Sequence, residues 1–184
     1  MSTIVLHDAQ NLGAWRAEAA LPEGVALLSV PHAGTQRAWE YVGDGLDDHV
    51  DRLVSLVAGA SPPIGVGGSS FGAYASLYAW AQHPTLFTRV LAMSPALWVR
   101  RERLFEAARS VTPAPGTRVW IDVGGRESAE HQTEYDHGYE EMRHLLGERG
   151  CDVGGFRDPE GIHNESAWAD RLPEALRFLF GSAA

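Results

Sequence analysis

Pro62-Pro63-Ile64-Gly65-Val66-Gly67-Gly68-Ser69-Ser70-Phe71-Gly72-Ala73-Tyr74-Ala75-Ser76-Leu77-Tyr78-Ala79-Trp80-Ala81-Gln82 is the stretch on which the fold turns. Ile64 to Val66 is the centre of a buried strand entered through two prolines. Gly72 to Gln82 is an alanine-rich buried helix that stops before Pro84. Between them, Gly68-Ser69-Ser70-Phe71-Gly72 has the spacing G-x-S-x-G. A serine at the centre of so sharp a turn needs glycines on both sides, because larger side chains there would collide. The turn lifts its hydroxyl toward solvent, beside a helix N-terminus whose free amides favour developing negative charge. The five-residue pattern is weak by itself. With a strand before it and a helix after it, the segment reads as a nucleophile elbow with Ser70 as nucleophile. The plainer alternative is a glycine-rich turn packing a helix closely on a sheet. Ser69, offset by one position, points differently and is structural.

Outward from this turn, short apolar runs alternate with amphipathic ones, the pattern of a mostly parallel sheet covered by helices. Strands are expected at Ile4–His7, Val25–Val30, around Ile64–Val66, and at Val90–Met93, Arg118–Val123 and Asp152–Phe156. Helices are expected at Asp47–Ala58, Gly72–Gln82, Leu97–Ala108, within Glu130–Glu148, and at Trp168–Phe180 with Pro173 in its first turn. No repeat or linker interrupts the chain, so residues 1–184 form one three-layer α/β domain of about six strands with no large lid.

The sequence has 184 residues and a formal charge of −9, from 15 basic and 24 acidic residues. That sign opposes attraction to nucleic acid or an anionic membrane, and no basic run offsets it. A single cysteine, Cys151, precludes an internal disulfide and a four-thiolate metal site. No cluster has zinc-ligand spacing, and the expected chemistry needs neither metal nor cofactor. The first residues lack the pattern of a signal peptide, and no run approaches the length of a membrane span. A cytoplasmic protein is the expectation.

A serine at its ordinary pKa needs a base within hydrogen-bond reach. In folds built around such an elbow, the partners follow in the order serine, acid, histidine. His163, in Asp158-Pro159-Glu160-Gly161-Ile162-His163-Asn164, follows the last strand and is the candidate base. His131, His137 and His144 lie on the long helix, and His49 and His83 flank helices. His7 and His32 close the first two strands, where either can line the cleft. For the acid, Glu127 stands just past the fifth strand; Asp158, Asp122 and Glu160 are the alternatives. The plainer role of Glu127 is a charge at the N-terminus of the following helix.

Several segments together resemble the putative-esterase (esterase D-like) family of α/β-hydrolases. They are Ile4–Leu12, Arg37-Ala38-Trp39-Glu40-Tyr41, Gly67–Gly72, Ser94-Pro95-Ala96-Leu97-Trp98, Asp122–Glu127 and Gly161–Trp168, in order along almost the whole chain. The family includes enterochelin-type and feruloyl esterases, S-formylglutathione hydrolases and mycolyltransferases. The resemblance implies a Ser70, His163 and Glu127 triad. It implies an oxyanion site formed by the backbone amides of Phe71 and of Gln10, in the turn after the first strand. Ala9 stands where relatives carry glycine. Relatives also carry two further strands upstream of Ile4–Leu12, so the resemblance is to a trimmed form with Val25–Val30 at the sheet edge. An apolar edge needs covering, by a second copy in a homodimer or by another segment.

The function these residues point to is hydrolysis of small-molecule carboxylic esters through an acyl-enzyme on Ser70. An acyltransferase with the same triad and a non-catalytic binding protein of this fold are the alternatives. Arg37, Trp39, Trp98 and Trp168 are the candidate pocket residues, with Trp15 nearby. Arg37 can bind an anionic group or pair with Glu40 three residues on.

Overall fold

Period-two alternation sorts the strand residues onto two faces. Ile4, Leu6, Leu91, Met93 and Trp120 point to one apolar cluster, and Val5, Val66, Val90, Ala92, Val119 and Ile121 to the other. The computed structural model describes residues 1–181; residues 182–184 of the expected domain lie outside them. The strands are β1 (Ser2–Leu6), β2 (Val25–Ser29), β3 (Ile64–Ser69), β4 (Phe87–Met93), β5 (Arg118–Arg126), β6 (Asp152–Gly154) and β7 (Arg157–Ile162). The helices are α1 (Ala17–Ala20), α2 (Arg37–Val42), α3 (Leu46–Leu56), α4 (Phe71–Gln82), α5 (Arg101–Ser110), α6 (Gln132–Glu148) and α7 (Glu165–Phe180). The sheet order is β2-β1-β3-β4-β5-β6, with β7 also on β5, and every pairing is parallel. This is the open sheet of an α/β-hydrolase-like fold. α1 and α7 contribute to one cluster, and α2 through α6 to the other.

The chain runs from β1 outward to β2 and then back across to β3. The strand order therefore reverses between β1 and β3, and the crevice beyond their carboxyl ends is where open α/β sheets bind ligands. Asp8 leaves β1 and Ser70 leaves β3 at that crevice.

Beyond expectation, α1 and α2 are additional helices, α3 spans Leu46–Leu56, β4 begins at Phe87 and β5 runs on to Arg126; four further boundaries differ. The strand expected at Asp152–Phe156 is two strands. Gly155, at φ 114°, bends the chain where a Cβ would lie 1.8 Å from the Ile121 carbonyl oxygen, so β6 pairs with Arg118–Trp120 and β7 with the far half of β5. The segment before His163 is thus β7 rather than a loop. α5 begins at Arg101, after a turn at Leu97–Arg100, rather than at Leu97. α7 begins at Glu165, capped by the Asn164 side chain accepting from the Ala167 amide at 3.0 Å, so Pro173 lies in its interior rather than its first turn. β2 occupies the sheet edge, and Val25–Leu28 are half-buried. No helix among the described residues is long and apolar enough to cross a membrane.

Beneath the crevice lies a buried polar group. His7 donates through Nδ1 to the Gly67 carbonyl at 2.8 Å, and its ring lies 5.0 Å from those of Tyr41 and His49. His49, which lies within α3 rather than flanking it, reaches Glu40 at 3.2 Å. Burial pushes both imidazoles down, His49 to about 2, so its contact with Glu40 is not an ion pair; Arg52 Nη2, which can only donate, lies 3.1 Å from the same Nδ1. The unfolded chain takes up a proton at His49 near pH 6.5, whereas the folded chain does so only near pH 2. Stability is therefore present above pH 6.5 and is lost as pH falls below it, by about 1.4 kcal/mol per pH unit for His49, and the burial of His7 acts in the same direction. His49→Gln is expected to flatten the fall in urea midpoint between pH 6.5 and 5 by the equivalent of one proton.

Candidate active site

The elbow takes the form the sequence demands. Ser70 sits at φ 55°, ψ −119°, a backbone conformation that non-glycine residues hold only when their surroundings impose it. A Cβ on Gly68 would lie 2.8 Å from the Gly72 carbonyl carbon, so the bare glycine lets the first turn of α4 close onto β3. Gly72 in turn lies against His7 and Asp8 of the β1 exit. Phe71 directly follows Ser70 at the start of α4, and Gln10 lies in the turn after β1. Among the described residues, neither of their amides donates a hydrogen bond within the protein, as an oxyanion site requires. The neighbouring Ala9 amide is taken by the Val30 carbonyl, at 3.0 Å.

Glu127 follows β5 directly, and His163 follows β7. The parallel β5–β7 pairing brings them together, with His163 Nδ1 2.7 Å from Glu127 Oε2. The other carboxylate oxygen accepts from the Ser94 hydroxyl and the Gly124 amide. Burial alone would raise this carboxyl, but the hydrogen bonds from His163, Ser94 and Gly124 outweigh it and hold Glu127 below the usual carboxylate range. A side chain so completely engaged is not a helix-terminal charge, and α6 begins only at Gln132. Asp122 is fully buried behind Glu127, where it accepts from the Trp120 indole at 2.7 Å; burial pushes it up to about 6. Asp158 receives the Glu160 amide at 3.1 Å, and Glu160 pairs with Arg126 at 2.6 Å. Among the carboxylates considered in the sequence, Glu127 is the one bonded to His163.

Ser70 and His163 line one cleft of about 320 Å³, together with Asp8, Asn11, His32, Arg37, Ser69, Glu165 and Trp168. No hydrogen bond joins Ser70 to His163 here; contacts of this kind are often long until substrate seats. Of the candidate pocket residues, Arg37 and Trp168 line this cleft and Trp39 and Trp98 do not. Trp39 is half exposed on α2. Trp98 stacks on His131 and meets Tyr135 edge-on at 4.3 Å, lining a separate groove with Arg101 and Glu134. Trp15 is buried against Trp168. Arg37 does not pair with Glu40. It clasps buried Asp8 through two bonds of 2.8 and 2.6 Å, while Glu40 turns to Arg52, His49 and the Ala33 amide. The reason is geometric: Asp8 projects from the β1 exit into the same crevice. The Gln10 side chain reaches the other way, donating to the His32 carbonyl and accepting from its amide.

Sequence reasoning misses Tyr135. Its hydroxyl lies 3.1 Å from His163 Nδ1 and within reach of the Ser70 side chain, and burial raises its pKa. Only its buried helical position was available as a signal. Tyr135→Phe is expected to lower kcat by about three- to tenfold, the worth of one neutral hydrogen bond, with KM little changed in steady-state assays. Gln132 is also missed; it braces the Glu127 loop by accepting from the Glu127 amide at 2.7 Å and donating to the Gly124 carbonyl at 2.9 Å. Among the described residues, no three His, Cys, Asp or Glu side chains converge as a metal site would need.

Comparison with known proteins identifies the fold and the family. No curated protein matches the chain in sequence. The siderophore hydrolase EstA from Aspergillus nidulans superposes with a TM-score of 0.74 at 17% identity, over 100% of this chain and 83% of its own. The BES protein from Bacillus cereus gives 0.73 at 18%, over 96% and 82%. The enterobactin esterase FES from Shigella flexneri gives 0.70 at 22%, over 97% of this chain and 52% of that enzyme. At these identities the likeness is one of fold. The family model described as putative esterase, however, matches residues 7–179, from the β1 exit through the elbow to the end of α7, and the chain therefore belongs to that esterase family.

Proposed function

We propose that the protein hydrolyses carboxylic esters through an acyl-enzyme on Ser70. The observation that carries this reading is the Glu127–His163 pair, at 2.7 Å, whose histidine lines one cleft with a serine on a strained strand-to-helix turn. Glu127 accepts a hydrogen bond from His163 Nδ1–H, which keeps the proton on Nδ1 and leaves Nε2 unprotonated and able to take the Ser70 proton as the hydroxyl attacks the ester carbonyl. The tetrahedral oxyanion is held by the amides of Phe71 and Gln10, donors that typically contribute about 3–4 kcal/mol each. His163 then protonates the departing alcohol. Water, deprotonated by the same imidazole, attacks the acyl-enzyme and regenerates Ser70. The cleft is small and open, which favours small or extended esters. With Arg37 held by Asp8, recognition of a substrate anion is not its primary task.

Intact-mass measurement after treatment with a fluorophosphonate tests the assignment. One adduct on the native protein that is absent from Ser70→Ala is the expected result. A folded protein that takes up no probe would overturn it.

A further inference from the structure

The acid rests on a buried relay that the triad does not itself require. Ser94 is fully buried at φ 45°, held there by its amide donating to the Asp122 carbonyl at 3.0 Å. Two donors converge on its hydroxyl oxygen, the Trp168 indole Nε1 at 3.0 Å and Arg171 Nη2 at 3.0 Å. Neither group can accept, so they occupy the two lone pairs of Ser94 and leave its proton one destination, Glu127 Oε1. The Gly124 amide donates to the same oxygen. Oε1 is thereby committed to accepting, and Oε2 is left to face His163.

Behind Ser94, the Arg171 guanidinium is 3% exposed, 3.4 Å from Asp122 Oδ1 and 3.9 Å from Asp158 Oδ2. Arg171 Nε and Nη1 and Asp122 Oδ1 lack hydrogen-bond partners among the described residues. Buried ion pairs with incomplete hydrogen bonding are a poor source of stability, and well-packed apolar residues often serve as well. The pair does something an apolar pair could not. It sets a cationic donor on Ser94, which polarises the Ser94 O–H toward the carboxylate.

Resting on the assignment of Glu127 and His163 above, we propose that Ser94, backed by the Arg171–Asp122 pair, is the positioning unit of the acid, holding Glu127 ionised with one oxygen aimed at His163. Arg171 and Trp168 come from α7, Asp122 from β5 and Ser94 from the turn after β4, so three elements converge on one carboxylate.

The test pairs steady-state kinetics on p-nitrophenyl acetate with proton NMR of the downfield His163 Nδ1–H resonance, assigned by its loss in His163→Gln. Ser94→Ala is expected to lower kcat by about tenfold at unchanged KM and to shift or broaden that resonance. Asp122→Asn is expected to move both readouts in the same direction by less. Since Arg171→Met alone would leave Asp122 uncompensated, the Asp122→Asn/Arg171→Met double variant keeps the fold and is expected to match Ser94→Ala in its resonance. A role confined to stability would lower Tm while leaving the resonance and kcat at wild-type values in all three variants, and that result overturns the proposal. If the wild type hydrolyses no ester, the hydrolase reading falls separately. The resonance then decides the relay alone: displaced in Ser94→Ala and the double variant, it stands; unmoved, it is overturned.

Discussion

Alanine in place of Ser70 is expected to lower kcat for an activated ester by about 10⁶-fold, with little change in KM or thermal stability. The size follows from the mechanism, because without the hydroxyl there is no acyl-enzyme and the remaining groups only hold substrate near water. Amides at Phe71 and Gln10 stay in place and leave a residual rate above the uncatalysed one. Stability should hold or rise slightly. The Ser70 backbone conformation is imposed by β3 and α4 rather than by its side chain, and alanine fits the same space. Stopped-flow release of p-nitrophenol gives the check. A variant retaining more than about a hundredth of wild-type kcat would show that another nucleophile carries the reaction.

Glu127→Gln is expected to cost about 10⁴-fold in kcat while leaving the fold intact, and the reason lies in hydrogen-bond direction. Oε1 of Glu127 receives protons from Ser94 and Gly124, so the amide oxygen of glutamine must occupy that place. Its NH₂ group then faces His163 Nδ1, where the carboxylate accepted a proton at 2.7 Å. His163 must accept there instead, which puts its own proton on Nε2 and removes the lone pair that would take the Ser70 proton. The variant is well packed and holds the wrong tautomer. Steady-state kinetics beside a melting curve separate this outcome from simple unfolding, and a loss below about tenfold would remove Glu127 from the role of acid.

The candidates Ser70 and Glu127 can be picked from the sequence because each stands at a strand exit that apolar runs and glycines mark, and His163 because it follows the last expected strand in the order serine, acid, histidine. β7 is less legible. Arg157-Asp158-Pro159-Glu160-Gly161-Ile162 has neither apolar alternation nor β-branched residues until its end, and it is a strand because the carboxyl half of β5 offers it a ladder. Asn164 as helix cap, and therefore the early start of α7, is masked by the polar run around it. Ser94, Tyr135 and Arg171 lie beyond sequence reasoning for a different reason. Their contacts span 28 to 77 residues of chain, and nothing local marks a serine after a strand or an arginine on an amphipathic helix as part of a site. The pairing of Arg37 fails in the opposite way. A local i,i+3 partner is present, but Asp8, 29 residues away, has the better geometry.

The bend at Gly155 has a consequence for how the protein tolerates insertion and deletion. It frees β7 from the path of β6 and hands it to β5, so Glu127 and His163 hang from the ends of one two-stranded ladder whose rungs run from Val123 and Arg157 to Arg126 and Ile162. That ladder works as a ruler with one irregular interval, where the two steps of β5 from Gly124 to Arg126 face the four of β7 from Asp158 to Ile162; in its regular first part, one residue added or removed between Gly155 and Asp158 puts His163 out of step with Glu127. The loops leading into α6 and out of β4 have no such graduation. Variation in length can accumulate there, while the ruler stays at a single setting.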